Sequence, residues 1–148
     1  MNAISKYGPI VARSLFGLML FVFGLNGFLQ FLPQPPMTAA AGAFAGALFQ
    51  TGYMFPLIKG VEVVVGLLLL SNVLVPLALA LIAPNVVNIL LFHAFLAPQG
   101  LAPALVLLVF ELYLAWTYRA SYRSMLQVRT PLPVAQPRTE TAPASASA

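Results

Sequence analysis

Phe55 to Leu70 reads FPLIKGVEVVVGLLLL, an apolar run long enough to cross most of a bilayer that nevertheless carries Lys59 and Glu62. An ionisable side chain at membrane depth costs about 2.5 to 3.5 kcal/mol on insertion scales, so it is expected to face a bundle interior or a cavity and to be paired. Lys59 and Glu62 stand three residues apart, on one helical face, where each offsets the other's cost. Two readings follow: a structural ion pair, or a site that binds or relays something, which is the common role of ionisable groups inside membranes.

Composition sets the class around that stretch. The chain has 148 residues, 61% hydrophobic and 7% charged, with mean hydropathy +0.94; a soluble domain carries roughly 25% charged residues. It is therefore expected to be an integral membrane protein in contact with a lipid bilayer. Its length accommodates four crossings of roughly 20 residues each and a single domain. The net charge of +4 does not point to nucleic acid, because four of the seven cations, Arg119, Arg123, Arg129 and Arg138, cluster at the C-terminal end as a topology signal does. With no cysteine, disulfides, thiolate ligands and thiol exchange are excluded for this chain alone.

The predicted fold is all-α: an integral membrane four-helix bundle over 1–126, with helices at about 10–32, 55–71, 75–96 and 101–120 and a disordered tail over 127–148. Ala41-Gly-Ala43 has the small-residue form of a signal-peptidase site, but the run from Ile10 to Leu32 exceeds the roughly 7 to 15 residues of a signal core, so a transmembrane helix is expected. On it Arg13, Gly17, Leu20, Gly24, Gly27 and Phe31 form one stripe, the side on which membrane helices approach closely, and Asn26 points away from it. Pro33, Pro35 and Pro36 stop this helix. Met37 to Thr51 then reads as a short interfacial helix, with Gly52 as its stop. Ser71-Asn72 is a link short enough to make its two helices antiparallel neighbours. The third crossing is interrupted by Pro84, whose freed carbonyl Asn85 and Asn88 are placed to satisfy. A belt of Trp116, Tyr118, Tyr122, Arg119 and Arg123 closes the fourth.

Lys6 and Arg13 precede the first crossing and the arginine cluster follows the last, while Pro33 to Met54 and Ala97 to Gly100 carry no charge. Both termini are therefore expected on the cytoplasmic side. With a rise of about 1.5 Å per residue, Lys59, His93, Asn26, Glu62 and Asn88 come out roughly 5 to 13 Å below the outer surface, with Glu111 a little deeper. Similar depths suggest one shared, outward-leaning polar pocket with these six as ligand-binding or proton-handling candidates. Glu111 either carries a proton or is paired with Lys59, His93 or Arg13. Arg13 is expected to snorkel to the opposite surface. Asn85 and Asn88 also serve helix cohesion, and His93 has an interfacial, hydrogen-bonded alternative.

One histidine excludes bis-histidine haem, and the few carboxylates argue against a zinc or di-iron site. There is no phosphate loop, nucleophile elbow or HExxH helix. The remaining chemistry is proton transfer and hydrogen bonding to a neutral lipid-soluble molecule such as a quinone.

ARSLFGLMLFVFGLNGFLQFLP, FPLIKGVEVVVGLLLLSN, APNVVNILLFHAFLAP and a Glu-containing last helix ending in LYLAWTYR, spanning about Val11 to Arg123, together resemble the DoxX and DoxX-like membrane proteins. The parts are Arg13 opening helix one, the GLNG end of that helix, Lys59 and Glu62 followed by Gly66, and Asn88 and His93. The resemblance implies a four-helix bundle of the bacterial inner membrane linked to quinone-coupled oxidation or oxidative-stress defence, beside a membrane or peripheral redox partner. Any oxidoreductase role would be that of a subunit without a metal or thiol centre of its own. The competing class is a carrier or permeation element, or an assembly factor; oligomerisation is compatible with either.

Overall fold

The computed structural model describes residues 3–33, 36–123 and 125–126, with side chains from residue 7 onward. The expected disorder of 127–148, and the cations Arg129 and Arg138, lie outside these residues. Among them the chain forms α1 (Ala3–Leu29), α2 (Ala39–Gln50), α3 (Met54–Ser71), α4 (Val75–Phe95) and α5 (Leu101–Thr117), with 3-10 turns at Pro98–Gly100 and Arg119–Tyr122. The segments Tyr7–Leu29, Met54–Ser71, Val75–Phe95 and Pro98–Thr117 are each long and apolar enough to cross a membrane. The 12 residues of α2 span about 18 Å and are not. The protein is an all-α integral membrane four-helix bundle with a shorter helix between its first two crossings.

The four long helices close a ring in which α1 packs on α3, α3 on α4, α4 on α5 and α5 back on α1; the α1–α3 interface is the most extensive. Phe16, Leu20, Val65, Leu69, Leu79, Ile82, Val86 and Leu114 fill the centre. Leu57, Val64, Leu67, Leu81, Val109 and Leu112 are exposed on the outside, an apolar surface that suits acyl chains and not water.

Local chemistry sets the helix ends. α1 begins ahead of the apolar run, with Pro9 inside it, and stops at Leu29 because Gln30 turns left-handed (φ 50°) and the Asn26 Oδ1 accepts the Leu32 amide at 2.7 Å. The α3–α4 link is a Schellman closure: the Asn72 amide donates to Leu69 O (3.2 Å) and the Val73 amide to Leu68 O (2.9 Å), with Asn72 left-handed (φ 58°). Thr38 caps α2 by accepting from the Ala41 amide (3.1 Å) while its hydroxyl donates to Leu96 O (2.7 Å). Phe44 meets Phe92 (centroids 5.6 Å apart) and Phe49 stacks on Phe55 (3.9 Å). These contacts seat α2 across the ends of α3 and α4. Gly52, at φ +76°, supplies the left-handed turn after it.

Glycine sets the spacing of α1 and α3. A Cβ at Gly66 would lie 2.7 Å from the Phe21 backbone nitrogen and 2.9 Å from Gly17 O; one at Gly17 would lie 3.1 Å from Gly66 O. No side chain can fit there unless the helices part. Gly66→Ala is therefore expected to destabilise the bundle by about 1 to 3 kcal/mol, as overpacked cores do. Gly60→Ala, on the same helix but with nothing within 4 Å, should leave stability unchanged. Thermal unfolding of both variants in one detergent checks this, and equal melting temperatures would refute the seam.

Candidate functional site

Lys59 and Glu62 form the ion pair that their spacing predicts. The Lys59 ammonium donates to Glu62 Oε2 at 2.8 Å and to Oε1 at 3.1 Å. The lysine side chain is 22% exposed and that of the glutamate 2%. The glycines of α1 make room for this arrangement. A Cβ at Gly27 would stand 2.5 Å from Lys59 Cγ and Cδ, and one at Gly24 3.0 Å from Glu62 Cβ. The pair thus lies on a floor of bare backbone inside the α1–α3 interface, near the end where α2 sits.

Arg13 lies toward the other end of the same interface. It is buried, and instead of snorkelling it turns its Nη1 inward to donate to Leu69 O and, at 3.5 Å, to Leu70 O. Both carbonyls belong to the last turn of α3, the negative end of its dipole, and Leu69 O accepts the guanidinium in addition to the Asn72 amide, so a cation at this level is favoured. Arg13 therefore bonds α1 to α3 at one level, and the Lys59–Glu62 pair, bonded within α3, packs against the glycines of α1 at another, with Gly17 and Gly66 between them.

The other candidates have separate surroundings. Asn26 is buried and serves the end of α1. Asn85 Nδ2 donates across to Ile58 O on α3 at 3.4 Å, a link between helices rather than a partner for the carbonyl freed by Pro84. The His93 Nδ1 lies 3.0 Å from Ala97 O; a carbonyl only accepts, so this nitrogen carries a proton. The His93 ring meets Phe92 edge-on (5.1 Å, 82°) and rests where any Cβ at Gly100 would strike it. It fastens the α4–α5 turn. Glu111 is buried, and its Oε2 has no hydrogen-bond partner among the described residues. Nearby, outside the crossings, the Tyr122 hydroxyl donates to Pro76 O at 2.8 Å. Burial first, and the neighbouring Glu111 second, push that phenol above its ordinary value, so it remains a donor there.

The structure thus brings Lys59, Glu62, Gly24 and Gly27 together, and sets His93, Glu111 and Asn88 in three other places. Asn88 is exposed on α4. With Phe44, Leu91, Phe92, Phe95 and Leu96 it lines a groove of about 240 Å³ between α2 and α4. A second groove of about 290 Å³, between α3 and α4, is lined by Leu57, Gly60, Val61, Val64, Val65 and Leu81 and has no polar side chain. Among the described residues no three His, Asp or Glu side chains are grouped to hold a metal ion.

Two contributors were not anticipated. Thr38 had a readable signal, a threonine directly before an alanine-rich run. The Tyr122–Pro76 bond joins residues far apart in sequence and had none. Comparison of the chain with known protein families, curated proteins and solved structures finds no match in any of the three.

Removing one member of a buried ion pair strands the other, whereas replacing both with apolar residues of similar volume can be neutral. Lys59→Met is therefore expected to destabilise the bundle by roughly 3 kcal/mol, and Lys59→Met with Glu62→Met to recover most of that loss. Chemical or thermal unfolding of wild type, single and double variants checks this; additive losses would show that the two side chains act independently.

Proposed function

We propose that this chain is a small subunit or partner of the DoxX type in the bacterial cytoplasmic membrane, serving quinone-linked redox chemistry or defence against oxidative stress, with both termini on the cytoplasmic side. The joint between α1 and α3 carries this reading. The DoxX-like positions Arg13, Gly24, Gly27, Lys59, Glu62 and Gly66 are dispersed over two helices separated by a third, yet all of them meet in this one interface. Letters that depend on one another physically are a stronger sign of a shared design than the same letters without contact.

The residue inventory limits the role. A chain with no cysteine and one histidine has little with which to hold a redox centre, so electrons would pass between a lipid-soluble carrier and a partner protein. The orientation draws on Lys6 and Arg13 at the start of α1, and on Arg119, whose guanidinium lies 4.8 Å over the Trp116 ring and donates to Trp116 O at 2.9 Å. Such stacked aromatic and cationic pairs anchor a helix end at the headgroups.

Two measurements test the proposal. Green fluorescent protein fused to the C-terminus is expected to fluoresce, and alkaline phosphatase at the same point to be inactive; the reverse pattern would invert the topology. Gentle detergent extraction of the tagged chain from its native membrane, followed by mass spectrometry, should return a quinone in near-stoichiometric amount together with an oxidoreductase. Recovery of neither, combined with solute uptake by sealed liposomes holding only the purified chain, would replace this reading with a carrier.

A further inference from the structure

We infer that the groove between α2 and α4 seats the ring of a neutral, lipid-dissolved compound bearing a carbonyl or hydroxyl group, held by a hydrogen bond from Asn88. The inference rests on the quinone-linked reading above and gives the ligand a place distinct from the Lys59–Glu62 pair.

Asn88, Leu91, Phe92 and Phe95 recur at i, i+3, i+4 and i+7 and so form one face of α4. Asn88 lies about 10 Å in from the Phe95 end of that helix, within the crossing. It is exposed, and among the described residues its amide has no hydrogen-bond partner, whereas Asn26 and Asn85 are both engaged. An amide left facing hydrocarbon is unfavourable, and a guest that bonds to it recovers the loss.

The surroundings define that guest. The lining offers an ion no counter-charge; phenyl rings of Phe44, Phe92 and Phe95 offer flat apolar walls; and one amide supplies both donors and an acceptor. A benzene-sized guest needs roughly 150 Å³, so about 240 Å³ holds one substituted ring while any tail runs out into the lipid. Phe44 stands over this face, held by its contact with Phe92 and by the Thr38 bond to Leu96 O. α2 thereby makes a hollow of what would otherwise be a flat stripe for another helix to cover. The α3–α4 groove has no polar side chain and suits an acyl chain.

The test uses the full chain in nanodiscs with a photoreactive quinone analogue and mass spectrometric mapping of the labelled peptides. Label is expected on Phe44 and on the Asn88–Leu96 peptide, and Asn88→Leu should lower it at least tenfold without moving the melting temperature, while Asn88→Gln retains most of it. Label confined to the α3–α4 groove, or undiminished by Asn88→Leu, overturns the inference; co-purification of quinone from native membranes would then leave the functional proposal standing. Absence of label anywhere, with no quinone co-purified, overturns both. In this cysteine-free chain, a Leu91→Cys variant that oxidises to a disulfide-linked dimer in native membranes also overturns it, because the groove then belongs to a second copy.

Discussion

The close approach of α1 to α3 is the constraint on which the rest of the bundle depends. Lipid gives two helices no hydrophobic reason to associate, so their adhesion comes from packing at short range and from polar bonds shielded from competition. Gly17 and Gly66 supply the first by removing the atoms that would hold the backbones apart. Arg13 supplies the second, while the Lys59–Glu62 pair, bonded within α3, neutralises the charge that α3 presents to the glycines of α1. The two devices depend on each other: the charges are screened from lipid only while the helices touch, and Gly24 and Gly27 give Glu62 and Lys59 the space in which to lie. α4 and α5 complete the ring around this pair through larger apolar side chains, including the Phe16–Phe110 contact at 6.2 Å.

Much of this was legible before the fold was known. Composition alone requires a membrane protein, the apolar runs divide into four crossings, and the three-residue spacing of Lys59 and Glu62 matches the observed ion pair. The glycine stripe names the packed face of α1. What a stripe does not name is its partner, and α3 is identified only by coordinates. Arg13 illustrates the same gap. Its distance from the membrane surface suggests snorkelling, but its actual position follows from the level at which α3 ends, a property of another helix.

The expectation of a shared pocket relied on depth, which is one coordinate of three. Asn88 and His93 stand five residues apart on α4, and at about 100° per residue their directions differ by roughly 140°. They cannot look into the same space from a straight helix. That angle was available from the sequence, and the helix accordingly presents His93 to the Gly100 turn and Asn88 to the α2 side. α2 itself was readable as an element, whereas its seat was not, because the Phe44–Phe92 and Thr38–Leu96 contacts join positions with no local pattern in common.

Polar groups inside a membrane protein can be sorted by whether their bonding capacity is consumed within the fold. Arg13, Asn26, Lys59, Glu62, Asn85 and His93 each have a partner in the structure. Among the described residues, Glu111 Oε2 and the Asn88 amide do not. The two differ in access. Glu111 is buried in the packed interior of α5 between Leu107 and Leu114, and neither groove is lined by it. Asn88 opens onto a hollow that a lipid-dissolved molecule reaches by lateral diffusion. An unmet hydrogen bond can recruit a guest only where the guest can arrive, so Glu111 is better placed to tune the interior of the bundle and Asn88 to meet what lies outside it.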